Sequence, residues 1–210
     1  YGLLALLVGR GFHGLVALLP LMLGAGIGAW LTRTGSASTS SPAYTVMRLA
    51  PLFLLSMLVI ALVVWNGIPA QTPPILDETS QPVPGSIAEL TAVSLGGQEQ
   101  TIMIRAHRAD LPVLLYLSGG PGQSDLPYTR VLFEDLTQDF VVVGWDQRGT
   151  GKSYPALYPP TSVTLEQAVA DTIELTEYLR QRFDEQKIYL MGESWGTTLG
   201  VLAVQRHPDL

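Results

Sequence analysis

Cysteine is absent from the 210 residues. Its absence excludes disulfides, thiolate metal sites and a cysteine nucleophile, and it leaves the redox compartment open. Charge is scarce as well: Asp, Glu, Lys and Arg make up 14% of the chain, low for one soluble domain. The scarcity is uneven. Residues 1–76 contain three arginines (Arg10, Arg33, Arg48) and no acidic residue, whereas the remainder holds nine basic and eighteen acidic residues, so +3 in front faces −9 behind. No basic cluster is present to follow a phosphate backbone, so nucleic acid is not an expected partner. An apolar, faintly basic front and an acidic back together suggest a membrane anchor joined to a soluble domain.

Long uncharged runs occupy the front. Gly11 to Thr32, "GFHGLVALLPLMLGAGIGAWLT", is 22 residues bracketed by Arg10 and Arg33, long enough at ~1.5 Å per residue to span a hydrocarbon core of ~30 Å. Leu49 to Ile68, "LAPLFLLSMLVIALVVWNGI", is a second and more hydrophobic run. Trp30 and Trp65 stand near the run ends, where indole rings favour the interface. These features predict two transmembrane helices, about 11–32 and 49–68, within an anchor of residues 1–68. His13 lies within a turn of Arg10 and reads as an interfacial residue. A signal peptide beginning at Met47 is the rival reading of the second run, but Ile68-Pro69-Ala70 makes a poor cleavage site. Basic residues set orientation: Arg33 and Arg48 flank the loop between the runs, and no Lys or Arg follows until Arg105. The loop is then expected in the cytoplasm and the C-terminal domain outside it. The chain begins with Tyr1 rather than Met, as a piece of a longer chain would.

Pro69 to Ser86, "PAQTPPILDETSQPVPGS", carries five prolines and no periodic apolar pattern, so it is expected to be an extended tether. From Ile87 to Leu210 the pattern is βββαβαβα. Two alternating segments surround Gly96-Gly97, a hairpin signal. "LPVLLYL", "FVVVGW" and "KIYLM" are continuous apolar runs, as strands buried on both faces require. A short helix is expected around Thr129 to Thr137. A longer one, Thr164 to Phe183, opens on a capping box of Thr164 with Gln167 and carries Leu165, Val169, Ile173, Thr176, Leu179 and Phe183 on one face. A last helix covers Trp195 to Arg206. Alternating strands and helices predict an α/β fold with a mostly parallel sheet, whose ligands bind at the carboxyl ends of strands.

Three motifs fall at such ends. Gly192-Glu193-Ser194-Trp195-Gly196 matches G-x-S-x-G between a strand and a helix. There the flanking glycines permit a turn sharp enough to lift a serine hydroxyl clear of the sheet, and the helix start directs N–H groups at developing negative charge. Ser118-Gly119-Gly120-Pro121-Gly122 follows the strand "VLLYL". In this kind of turn-and-sheet arrangement such a loop supplies one oxyanion donor and the residue after the serine supplies the other, here Gly119 or Gly120 with Trp195. The third, "WDQRGTGKS", ends like a phosphate loop. Counting back five residues from Gly151 reaches Asp146 instead of the required glycine, and a carboxylate there opposes phosphate. Asp146 and Arg148 are expected to bond neighbouring loops of a structured turn.

In this order and spacing the three motifs resemble those of the α/β-hydrolase superfamily, specifically the proline iminopeptidase family of serine peptidases, which shows HGGPG, DQRGxGxS and GxSWG. Here they stand as SGGPG, DQRGTGKS and GESWG over Ile87 to Leu210. The resemblance implies an α/β-hydrolase fold, Ser194 as nucleophile, an oxyanion hole of Gly119, Gly120 and Trp195, and release of an N-terminal residue, often proline, from peptides. Ser118 replaces the usual histidine, and Glu193 replaces the usual glycine.

A serine hydroxyl needs a base, and the base needs an orienting carboxylate. In this fold the chain order is Ser, then acid, then His. Sixteen residues follow Ser194, and His207 among them ends the helix launched from the elbow, ~15–20 Å away. His107 belongs to an early strand. The triad acid and histidine are therefore absent from this chain, as are the cap and the C-terminal strands, which leaves an incomplete sheet with a raw edge. The expectation is a membrane-anchored, extracytoplasmic serine hydrolase acting on peptides, or on small amides or esters, with no metal or organic cofactor. The 210 residues themselves are expected to be inert. Esterase or lipase activity is the alternative within the enzyme class, and a non-catalytic, membrane-tethered binding domain is the alternative outside it. Oligomeric state is left open.

Overall fold

The computed structural model describes residues 42–68 and 70–209. The chain divides into two units, Tyr1–Pro69 and Ala70–Leu210. In the first, helix α1 runs from Pro42 to Gly67. Leu, Ala and Met favour it, and Asn66-Gly67 marks its end. Pro51 lies inside it, and the Ser56 hydroxyl donates to the Leu52 carbonyl at 2.9 Å. The loop expected over 33–48 is thus already helical from Pro42. Phe53, Leu54, Leu58, Val64 and Trp65 are exposed. Among the described residues no helix is long and apolar enough to cross a membrane. The run expected to span at 49–68 is helical as far as Gly67. The run 11–32, with His13 and Trp30, lies outside the described residues.

The second unit is built on a five-stranded sheet. Strands β1 (Ile87–Leu95), β2 (Gln98–Ala106), β3 (Val113–Leu117), β4 (Val141–Trp145) and β5 (Tyr189–Gly192) stand in the order β1-β2-β4-β3-β5. β1 and β2 form the expected hairpin, pairing Leu95 with Gln98 across Gly96 and Gly97. Both glycines have positive φ, 54° and 72°, which a two-residue turn of matching twist requires. β2 also runs antiparallel to β4, and only β4, β3 and β5 are mutually parallel. The mostly parallel sheet of the sequence reading is thus half antiparallel, because a two-residue hairpin cannot connect parallel strands.

Helices cover both faces. Helix α2 (Leu126–Leu132) lies over Gly144, where an added Cβ would sit 3.1 Å from the Leu126 side chain. A 3₁₀ turn at Asp135–Gln138 follows, so the helix expected at 129–137 is two short pieces. On the other face α3 (Leu165–Phe183) and α4 (Trp195–Arg206) bury Val169, Leu175, Leu179 and Leu199 against Val113, Leu115, Leu117, Val141, Val143 and Trp145. Thr164 caps α3 by accepting from the Gln167 N–H at 3.1 Å. The Gln167 side chain donates instead to Asp171, so only half of the capping box forms. Leu175, absent from the expected apolar face, is fully buried, whereas Leu165 is exposed. β5 is the raw edge expected of an incomplete sheet: Tyr189 and Met191 of this apolar run are exposed, because among the described residues β5 lacks a neighbour on one side.

The segment expected to be a free tether is docked from Thr72 onward. Arg105 on β2 donates to the Thr72 hydroxyl (2.9 Å) and the Pro73 carbonyl (2.6 Å) and pairs with Glu134 at 3.0 Å. Ile75 is buried, and Leu76 bridges to Pro82. Asp77 closes the turn between them by accepting from Thr79 and Gln81, and the Thr79 hydroxyl first among these holds its carboxyl below its usual pKa.

Candidate active site

The elbow lies where β5 ends and α4 begins. Ser194 has φ 48° and ψ −111°, a region that a residue with a side chain occupies only under strain. The strain is enforced by close packing of backbone around it. An added Cβ on Gly196 would lie 1.9 Å from the Leu117 carbonyl oxygen and 2.9 Å from that of Ser118, and one on Gly192 would meet the Gly196 backbone at 2.6 Å. Only glycine at both positions lets α4 begin against the end of β3. The Glu193 N–H donates to the Leu117 carbonyl at 3.1 Å, which ties the turn to that strand. Ser194 is exposed, and its side chain makes no capping bond to its own helix, so the hydroxyl stands free at the helix N-terminus.

The glycine loop meets this serine. The Cβ position of Gly119 is 3.7 Å from Ser194 Cβ and 3.6 Å from the Glu193 carbonyl oxygen. Gly120 has φ 121° and Gly122 φ 96°, conformations open to glycine alone. The expected site residues Ser194, Gly119 and Trp195 are thus brought together, and Gly120 adjoins them in the loop. The two described histidines are not. His107 is hydrogen-bonded to the Thr137 hydroxyl at 3.0 Å, and His207 is the residue after the last turn of α4.

The turn after β4 is a joint. Asp146 accepts from the Ser124 hydroxyl (2.5 Å) and the Lys152 N–H (2.7 Å). Burial pushes its carboxyl above the usual carboxylate range, and the bonds from Ser124 and Lys152 oppose that in part. Gly151 has φ 44°, and a Cβ there would collide with Asp146 Oδ2. Lys152 and Ser153 lie in a 3₁₀ turn, Gly151–Leu157, bonded to Asp146 rather than arranged around a phosphate. Arg148 makes the buried pair with Asp171, Nε to Oδ2 at 2.8 Å, and donates to the Leu95 carbonyl at 3.0 Å. Both residues bond neighbouring segments, as expected.

Two features escaped the sequence reading. Gln147, buried, donates to both the carbonyl and the hydroxyl of Ser118 at 3.1 Å and accepts from the Trp195 indole at 3.0 Å. Ser118, standing where a histidine is usual, is therefore part of a bonded contact. Tyr116 donates its hydroxyl to Glu193 Oε2 at 2.8 Å and lies 3.5 Å from Asp125 Oδ2. Burial first, then the bond to Glu193, pushes the Tyr116 hydroxyl well above its usual pKa, so it remains a neutral donor. A cavity of about 380 Å³ adjoins these groups, lined in part by Pro121, Gly122, Gln147, Leu157, Val163 and Trp195. Among the described residues no group of three or more His, Asp or Glu side chains is placed to hold a metal ion.

Known proteins are similar to this chain in sequence and fold. Residues 112–210 match the family described as alpha/beta hydrolase fold. That part of the chain is similar to the α/β-hydrolases. The chain is 41% identical over 125 residues to the "Probable aminopeptidase YbaC" of Bacillus subtilis (strain 168), covering 60% of this chain and 39% of that protein. It is 33% identical over 96 residues to the proline iminopeptidase of Neisseria gonorrhoeae, covering 46% of this chain and 29% of that one. Among solved structures it is similar to a proline iminopeptidase-related protein of Thermus thermophilus, with a TM-score of 0.51 and 27% identity, over 59% of this chain and 42% of that chain. The chain thus spans between 29% and 42% of the length of these relatives.

Proposed function

We propose that this chain is part of an α/β-hydrolase, a serine peptidase of the proline iminopeptidase kind, which frees N-terminal residues from peptides through an acyl-enzyme on Ser194. The observation that carries this reading is the strained Ser194, φ 48°, with the Gly119 Cβ position 3.7 Å from its Cβ. Attack of Oγ on the scissile carbonyl develops charge on the carbonyl oxygen. The N–H groups of Gly119 or Gly120 and of Trp195, at the positive end of α4, are the donors for that charge. Collapse expels the amine, and water then releases the acyl group. The peptide substrate class rests on the similarity to proteins named aminopeptidase and proline iminopeptidase. The base and its carboxylate partner are not supplied by His107 or His207, so the 210 residues alone are expected not to turn over. No metal or organic cofactor enters the scheme.

The proposal extends to location. The uncharged runs 11–32 and 49–68, with Arg33 and Arg48 between them, favour attachment to a membrane with the hydrolase unit outside the cytoplasm. A protease-protection assay on sealed cells that leaves the hydrolase unit uncut would overturn this orientation.

The test of function uses the full-length protein. A fluorophosphonate probe is expected to label Ser194 in the folded wild type and not in Ser194→Ala, and a Pro-linked fluorogenic amide is expected to be cleaved faster than a short acyl ester. Ester turnover without amide turnover would move the assignment to an esterase. No labelling of folded protein would remove the serine mechanism.

A further inference from the structure

We infer that Gln147 is the positioning residue of the oxyanion hole, a clamp that fixes the direction of its two N–H donors; the inference rests on Ser194 being the nucleophile. A carboxamide has a donor end and an acceptor end, and here each faces a partner of fixed polarity. Its Nε2 donates to the Ser118 carbonyl and hydroxyl, 3.1 Å each. Its Oε1 accepts at 3.0 Å from the indole N–H of Trp195, a group that can only donate. The opposite amide orientation would set donor against donor and acceptor against acceptor, so the clamp has one working polarity.

What the clamp holds is set by covalent geometry. The Ser118 carbonyl and the Gly119 N–H belong to one peptide unit, which is not among the cis bonds. In a planar trans unit the two point in opposite directions. Holding the carbonyl toward Gln147 therefore turns the Gly119 N–H away from it, and the Cβ position of Gly119 is 3.7 Å from Ser194 Cβ. The second donor, the Trp195 N–H, belongs to the same residue whose indole the clamp grips. A Cβ on Gly196 would lie 2.9 Å from the Ser118 carbonyl oxygen, so the first turn of α4 packs closely on the carbonyl that Gln147 holds. Gln147 is itself fixed, since the Thr150 N–H and hydroxyl both donate to its backbone carbonyl at 2.9 Å. It is 6% exposed, which keeps water from competing for either end.

The experiment measures the rate of fluorophosphonate labelling at Ser194 in the full-length protein, with circular dichroism to establish that each variant is folded. Gln147→Leu is expected to label about 100-fold more slowly, the scale of losing one oxyanion donor. Trp195→Phe is expected to label more slowly too, and adding it to Gln147→Leu should slow labelling no further, because both changes open one clamp. Should Gln147→Leu not fold, Gln147→Glu carries the test. Protonated, the introduced carboxyl can still donate to the Ser118 carbonyl; ionised, it sets oxygen against oxygen. The ratio of variant to wild-type rate should therefore fall as pH rises from 5 to 8, a dependence that packing alone would not produce. Wild type that labels, beside a Gln147→Leu or Gln147→Glu variant within about threefold at every pH, overturns the clamp and leaves the serine mechanism standing. Wild type that does not label overturns the serine mechanism, and the clamp falls with it.

Discussion

Arg148 and Gln147 are neighbours in the chain, yet they serve two regions built on opposite terms. On the hairpin side, the Asp171 carboxylate is fully buried and accepts from Gln100, from Gln167 and twice from Arg148, at 2.7 to 2.9 Å. Gln100 passes the network on to the Trp145 indole at 3.1 Å. Both carboxylate oxygens there are paired. On the elbow side, Ser194 is exposed, its φ is 48°, and its hydroxyl makes no bond to its own helix. Buried polar groups that are fully paired specify one arrangement, whereas a strained, unpaired hydroxyl is what a nucleophile requires. The contrast assigns rigidity to one side of the sheet and, under the proposed serine mechanism, reactivity to the other, with a single turn joining them.

Asp171→Ala tests the first term with the largest expected effect. It leaves the Arg148 guanidinium buried without its partner, and removing one member of a buried pair costs about 3–5 kcal/mol. Against a typical stability of about 5–15 kcal/mol, this should lower the denaturation midpoint of the full-length protein severely. A loss below about 1 kcal/mol would mean that the network is not what holds the hairpin side.

Gly196→Ala tests the second. The new methyl would lie 1.9 Å from the Leu117 carbonyl oxygen, a backbone atom of the last residue of β3 that cannot swing aside. Overpacking of this kind costs about 1–3 kcal/mol, less than the Asp171 change, but it drives α4 away from β3 and carries Ser194 with it. Fluorophosphonate labelling should therefore collapse while much of the stability remains. Equal losses in both measurements would erase the division between rigid and reactive sides. Thr164→Ala is a smaller probe of the rigid side. It removes the cap bond to the Gln167 N–H, worth about 1 kcal/mol, and should lower stability by that amount with labelling of Ser194 unchanged.

Much of this contrast is visible in the sequence, and what is missing has a physical reason. Local signals survive folding well. Gly96-Gly97 between alternating runs gives the hairpin, the apolar runs give β3 and β4, and Gly-x-Ser-x-Gly between a strand and a helix gives the elbow, with α4 at Trp195–Arg206 as expected. The reading fails where a contact joins distant positions. Gln147 meets residues 29 and 48 positions away, and Tyr116 meets Glu193 across 77; no periodicity records such pairs. Arg105 looks like an ordinary strand residue until it is seen gripping Thr72 and Pro73, which turns an expected tether into a docked segment. "KIYLM" has the composition of a buried strand, and its exposure follows from its place at the raw edge that the sequence reading expects of an incomplete sheet.

The joint between the two regions offers the finest test. Asp146 immediately precedes Gln147 and Arg148, and burial pushes its carboxyl above the usual range despite bonds from Ser124 and Lys152. For an acid whose folded pKa is raised, the native state binds its proton more tightly than the unfolded state does. Its contribution to stability is then fully present below the ordinary carboxylate pKa and is lost as pH rises through the raised value. Asp146→Asn removes this titration and keeps the geometry, since the amide oxygen still accepts from the Lys152 N–H and the amide NH₂ can donate to the Ser124 hydroxyl. The stability of the variant relative to wild type should therefore increase from about pH 4 upward and level off once the wild-type carboxyl is ionised in both states. Denaturation midpoints of both proteins across pH 4 to 7.5 measure this. A difference that stays flat, or that declines with pH, would show that the bonds from Ser124 and Lys152 outweigh burial and that the joint belongs to the saturated side.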